Sequence, residues 1–289
     1  MTKFATAMVL MTSVCLSAQS QNLDTLSRSG NKELISGKKD IILEISPTAP
    51  LSGVRPDTVP RFDWKNAASV KPAFPARSFI LPGAMIAYGF VTLKTNGMLK
   101  NFNTNVKDEI WTDAPHKQFH ADNYLMFAPA VAVYGLNAMG IHGKNNFRDR
   151  SMILLMSNII ANGVVFSVKG WSHEQRPDGS DYKSFPSGHT AEAFANAEFM
   201  RQEYKDVSPW YGVAGYAMAT ATGMLRMYNN KHWMSDVVAG AGVGIASTKL
   251  AYWLYPFVKH ALWKDKESAP MVMPTYQSGS VGLSFVKQF

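Results

Sequence analysis

From Ser78 onward the chain alternates long apolar segments with short polar connections. Ser78–Leu93, Asn123–Ile141, Ser151–Val168 and Val207–Leu225 carry no charged residue. Each is too long for an ordinary strand and predicts a helix. Thr190–Tyr204 and Val237–Val258 continue the helical pattern, the first carrying Glu192, Glu198, Arg201 and Glu203, the second Lys249. Six helices with short connections predict an all-α, six-helix bundle over residues 78–260. Between the first two, Leu99, Phe102, Val106 and Ile110 recur at three- and four-residue steps, with Lys100 and Lys107 on other faces. That spacing predicts an amphipathic helix packed on the bundle.

The two ends read differently. Residues 1–20 resemble a secretory signal: Lys3, then the apolar run Phe4–Leu16, then small residues around Ala18. Residues 21–77 are polar, and rich in proline after Ser46, which predicts an extended arm lying over the core. Residues 261–289 form a tail whose Met271–Phe289 portion predicts a short β-hairpin about Ser278-Gly279-Ser280. Cys15 is the only cysteine, so removal of the signal would exclude disulfides and thiol catalysis from the mature chain.

Apolar residues make up 46% of the chain and charged ones 17%, which leans towards membrane association. A crossing needs about 20 apolar residues, and three segments approach that without charge. Thr190–Tyr204, with its glutamates, is a poor span. Lys144, Arg148 and Arg150 before the third long helix place the loops at its other end outside. A cleaved signal followed by six crossings would instead place those loops inside, so the two readings conflict. An exported protein associated with a membrane is the expectation, with a soluble periplasmic one as the alternative. The net charge of +8 favours an anionic partner. No basic run with interleaved aromatics points to nucleic acid, and no protein partner is indicated.

Three blocks carry the chemistry: Lys169-Gly-Trp-Ser-His-Glu-Gln-Arg176-Pro177, Pro186-Ser187-Gly188-His189, and Arg226-Met-Tyr-Asn-Asn-Lys-His232-Trp-Met-Ser-Asp236. Three fixed cations, two histidines, a carboxylate and a Ser-Gly turn suit phosphoryl transfer, where charge on the non-bridging oxygens must be held while one group attacks and another protonates the departing oxygen. His232 and Asp236 lie one helical turn apart, so the carboxylate can accept one ring N–H and leave the other nitrogen as nucleophile. Ser187 is a good helix N-cap before His189, and Gly188 admits a close ligand to the free N–H groups there. His116, His120, His142 and His260 show no ligand spacing, and neither a two-metal carboxylate pattern nor a P-loop is present. No metal and no cofactor is expected.

The spacing K-x6-R-P, P-S-G-H, R-x5-H-x3-D resembles the superfamily of type 2 phosphatidic acid phosphatases, class A bacterial acid phosphatases and vanadium haloperoxidases. The resemblance implies the helical bundle and a phosphatase acting through a phosphohistidine. By it, His232 attacks phosphorus and Asp236 orients it. His189 protonates the leaving oxygen, and Lys169, Arg176, Arg226, Ser187 and Gly188 hold the phosphate. An envelope lipid phosphate (lipid A, phosphatidic acid, phosphatidylglycerol phosphate or polyprenyl pyrophosphate) is the implied substrate, with vanadate an expected phosphate-mimicking inhibitor. The alternatives are a soluble acid phosphatase, a vanadium haloperoxidase and a silent lipid-binding protein. Leu225 stands where many relatives carry serine, which leaves open what positions Arg226. Asp178, Asp181 and Lys183, between the first two blocks, read first as solvated loop charges, with contact to a polar head group as the alternative.

Overall fold

The computed structural model describes residues 74–95, 97–262, 271–277 and 280–286, the last two stretches by their backbone. The signal and nearly all of the arm expected for residues 1–77 lie outside the described residues. A short 3-10 turn at Ala76–Phe79 leads into α1 (Ile80–Lys94). Next come α2 (Met98–Lys107, continued by a π turn over Asp108–Thr112), α3 (Asp122–Leu125), α4 (Ala128–Ala138) and α5 (Phe147–Ser172). The remaining helices are α6 (Gly188–Tyr204), α7 (Pro209–Tyr228) and α8 (Met234–Leu262). Two strands, Met271–Gln277 and Ser280–Val286, pair antiparallel with Gln277 opposite Ser280.

Local chemistry sets the helix ends. Asn146 caps α5 by accepting from the Asp149 N–H at 2.8 Å, and His173 ends it in the left-handed region. Ser208 caps α7, whose first residue is Pro209, a position where the missing N–H costs nothing. Asn230 takes the left-handed conformation just past α7, turning the chain towards His232.

Helix α6 sits at the centre, packed against α4, α5, α7 and α8, and α8 packs in turn on α1 and α5. The α6–α8 contact is close because two glycines face it. A Cβ on Gly240 would fall 2.5 Å from the Ser187 carbonyl oxygen, and one on Gly244 would collide with that of Ala191. Small residues here set how near α8 comes to the start of α6, and so how near His232 and Asp236 come to His189.

The charges on α6 point inward. Glu198 accepts from Arg201 at 2.6 and 2.7 Å, from Tyr216 at 2.5 Å and from Gln202 at 2.9 Å, with the Lys249 ammonium 3.5 Å away. Glu203 meets Arg150, Asn145 and Tyr252. The polarity that made Thr190–Tyr204 a poor span on its own is enclosed by neighbouring helices and paired there. Arg150, one of the three cations used to orient the chain, is likewise buried against Glu203, so only Lys144 and Arg148 keep that role.

The outer helices are the reverse. On α5, Leu155, Ile159 and Phe166 are all exposed, Phe166 to 70%. Ala76–Lys94, Phe147–Ser172 and Met234–Leu262 are long and apolar enough to cross a membrane. The Phe74 ring meets Trp253 at 5.1 Å, so the start of α1 lies beside the C-terminal half of α8. The other end of α1 reaches the end of α5, where the Lys94 ammonium lies 4.9 Å over Trp171.

Candidate functional site

The three blocks meet at one end of the bundle. Lys169 comes from the last turn of α5, His189 from the first turn of α6, Arg226 from the last turn of α7, and Asp236 from the first turn of α8. The connection after α5 adds Arg176. Up-and-down packing places these helix ends side by side, which sequence spacing alone does not require.

His232 lies just before α8 and is buried, with Nδ1 3.5 Å from Asp236 Oδ2. At that distance the pair is in electrostatic contact, and among the described residues Nδ1 has no hydrogen-bond partner. Asp236 is itself held in place. Its Oδ2 accepts from the Ser184 hydroxyl at 2.5 Å and from the Trp233 N–H at 3.0 Å, the reach-back bond of a capping box. His232 titrates well below its ordinary value, first because it is buried and then because the charges of Arg226, Lys169, Arg176 and His189 all bear on it. The charges that bear on it come from all three blocks and the connection between them.

His189 donates from Nε2 to Asn123 Oδ1 at 2.9 Å. Burial, followed by the Arg226 charge, pulls its pKa down to about 4, and the Asp122 carboxylate opposes that pull. With no anion bound, both histidines are neutral at neutral pH. Protonated His189 therefore belongs to the site with an anion in it, whose negative charge favours the imidazolium.

The cations are individually braced. Arg226 donates from Nη1 to Asp122 Oδ2 at 2.6 Å, while among the described residues its buried Nε has no hydrogen-bond partner. Asp122 is fully buried and also accepts from Asn229 at 3.3 Å. Arg176 donates from Nε to Asp181 Oδ1 at 2.8 Å. Lys169 donates to the carbonyls of Lys183 and Ser184. Asp178 pairs with Lys231 at 2.7 Å, which holds its pKa down to about 2. These contacts correct the expectation that Asp178 and Asp181 are merely solvated loop charges. They tie the connection to the third block and to the cage.

Ser187 caps α6 through its backbone position, but its N–H donates to the Asp236 carbonyl at 3.0 Å and its hydroxyl pairs with Thr190 at 2.8 Å. The expectation of a phosphate-holding Ser187 N–H is thereby corrected: that donor locks α6 to α8. The N–H groups that follow, from Gly188 on, are the first-turn donors without an intrahelical partner.

Asp122, Asn123 and Ser184 escaped the sequence reading. Asp122 and Asn123 open an apolar segment 104 and 66 residues from their partners, with no periodicity linking them. Ser184 lies two residues before Pro186, close enough to the second block to have drawn notice. Asp122 also answers the question raised by Leu225, since it positions Arg226 without a preceding hydroxyl.

Comparison with known proteins agrees with this geometry. Residues 150–259 match the family model described as the PAP2 superfamily. Over this segment the chain is similar to the PAP2 superfamily. The matched segment holds every residue of the three blocks and leaves Asp122 and Asn123 outside. The lipid A 1-phosphatase of Porphyromonas gingivalis is 37% identical over 155 residues, 53% of this chain. The chain spans 35% of that relative's length. Among solved structures, Aquifex aeolicus LpxE is 18% identical with a TM-score of 0.36, covering 57% of this chain and 92% of its own. A transmembrane PAP2 type phosphatidylglycerolphosphate phosphatase from Bacillus subtilis is 19% identical with a TM-score of 0.41, covering 65% and 98%.

Proposed function

We propose that this protein is a metal-independent phosphatase that hydrolyses the phosphate monoester of an envelope lipid through a phosphohistidine on His232. The observation that supports it most is the buried, neutral His232 set against Asp236 and inside the field of Lys169, Arg176 and Arg226. A neutral imidazole has the lone pair that attack on phosphorus needs, and fixed cations stabilise charge on the equatorial oxygens. Attack forms the N–P bond as the P–O bond to the lipid breaks, and His189 gives its proton to the departing oxygen. Neutral His189 then takes a proton from water, whose oxygen displaces His232 and releases inorganic phosphate. Among the described residues no three His, Cys, Asp or Glu side chains converge to hold a metal ion.

A lipid is favoured over a soluble ester because the site lies at the end of helices with exposed apolar faces, where a substrate held in a bilayer would present its phosphate. The relative's name, lipid A 1-phosphatase, points the same way. We place the site on the outer side of the membrane, which puts Phe74 on the inner side and argues against cleavage of an export signal before it. The deciding experiment is phosphate release by the full chain in detergent with EDTA, offered a lipid phosphate and a small water-soluble ester. Preferential release from the lipid, abolished by His232→Ala, is expected. Release that needs an added metal, or none at all, overturns the reading.

A further inference from the structure

The end of α6 away from His189 holds a surplus of positive charge. Glu198 is fully buried, and Arg201 meets it edge-on, donating from Nε at 2.7 Å and from Nη2 at 2.6 Å. The Lys249 ammonium stands 3.5 Å from the same carboxylate, so two cations face one anion. Glu203, the other buried acid at this end, is occupied by Arg150, Asn145 and Tyr252. With Nε and Nη2 turned to Glu198, Nη1 lies on the far side of the guanidinium. It is buried, and among the described residues it has no hydrogen-bond partner. A buried donor left unmet destabilises a fold unless something else supplies the acceptor.

Further cations gather round it. Lys205 lies one helical turn beyond Arg201, on the same face of α6. Lys144 is brought in from the connection between α4 and α5 by its own N–H, which donates to the Glu203 carbonyl at 2.8 Å. Burial, and then the charges of Lys144 and Arg201, make the Lys205 ammonium easier to discharge, which Asp206 and Glu198 offset only in part. The start of α7 is shaped to fit. A Cβ on Gly212 would fall 2.7 Å from Arg201 Cγ, so this glycine leaves room for the arginine stem. Close to it along the chain, Val207, Trp210 and Val213 are exposed, Trp210 to 75%. Cations beside an exposed tryptophan at the end of a bundle match a bilayer interface, where the indole sits at headgroup level and basic side chains meet anionic lipid.

We propose that Arg201, Lys205 and Lys144 form a second anion site, for the phosphodiester headgroup of an anionic lipid in the leaflet opposite the reaction centre. A phosphate oxygen is the acceptor that Nη1 lacks, and its charge offsets the surplus left by Glu198. Free phosphate offers the same oxygens, but only a lipid also covers the exposed apolar residues of α7.

The test is thermal unfolding of the full chain in detergent, with vanadate present to occupy the cage. Phosphatidylglycerol, phosphatidylcholine with the same acyl chains, and inorganic phosphate are titrated separately. The readout requires no turnover, so it stands whether or not the cage releases phosphate. Phosphatidylglycerol should raise the melting temperature at lower concentration than phosphatidylcholine. Lys144→Gln and Lys205→Gln should each raise the concentration needed about fivefold, the scale of one basic side chain against an anionic lipid surface. Arg201→Lys keeps a cation beside Glu198 but has no second edge to offer, and should weaken protection at least as much. If that protein fails to fold, the two glutamine variants decide. Equal protection by the two lipids, or protection unchanged in both glutamine variants, overturns the site. Protection by inorganic phosphate equal to that by phosphatidylglycerol overturns the assignment to a lipid.

Discussion

Replacing Asp122 tests whether the cage is held from outside the three blocks. The Asp122–Arg226 pair is 2.6 Å long, with exposures of 0% and 9% for the two side chains. Asp122→Ala leaves a buried guanidinium without its counter-charge, in a field already set by Lys169 and Arg176. Breaking such a buried pair costs about 3–5 kcal/mol, and at roughly 2–4 °C per kcal/mol the melting temperature should fall by ~10 °C. Arg226 would also lose its anchor, and a misplaced phosphate donor costs about 10²–10³-fold in kcat/KM. An anion in the site substitutes for the missing carboxylate, so vanadate should raise the melting temperature of Asp122→Ala by more than it raises that of the wild type. Asp122 also supports the charged form of His189, the proton donor, so the alkaline limb of the pH profile should move to lower pH in the variant. The assays are thermal unfolding in detergent with and without vanadate, and phosphate release across pH. An Asp122→Ala protein with wild-type melting and kcat/KM would refute the positioning role. So would full restoration by Asp122→Leu, because that residue fills the space without the charge.

Two further outcomes follow from the same contacts. Ser184→Ala removes the 2.5 Å hydrogen bond to Asp236 and leaves a buried lone pair unmet, so kcat should drop about tenfold, the equivalent of ~1–3 kcal/mol, with little change in KM; a change confined to KM would contradict this. Stability should decline as pH drops from about 6.5 towards 4, because an unfolded histidine binds its proton near 6.5 while folded His189 holds one only near 4 and folded His232 resists it further. Saturating vanadate, by raising the His189 pKa, should flatten that decline, and an anion-independent slope would show that other groups cause it.

The sequence alone determined the helices and the inventory of the cage. Uncharged stretches such as Ser151–Val168 have no stable form but a helix, because their backbone polar groups must be satisfied within the segment. The three blocks carry residue types that only a few chemistries use at such spacing. What it could not settle were partners far apart in the chain. Asp122 reaches Arg226, Asn123 reaches His189, and Ser184 reaches Asp236 only because α3, α6, α7 and α8 end at the same level. Likewise, Glu198 and Glu203 made Thr190–Tyr204 a poor span in the sequence, and both are interior because four helices enclose α6. Hydrophobic periodicity records which side of a helix avoids water. It does not record which neighbour supplies the counter-charge, and only the tertiary packing, set here by glycines 240 and 244, decides that.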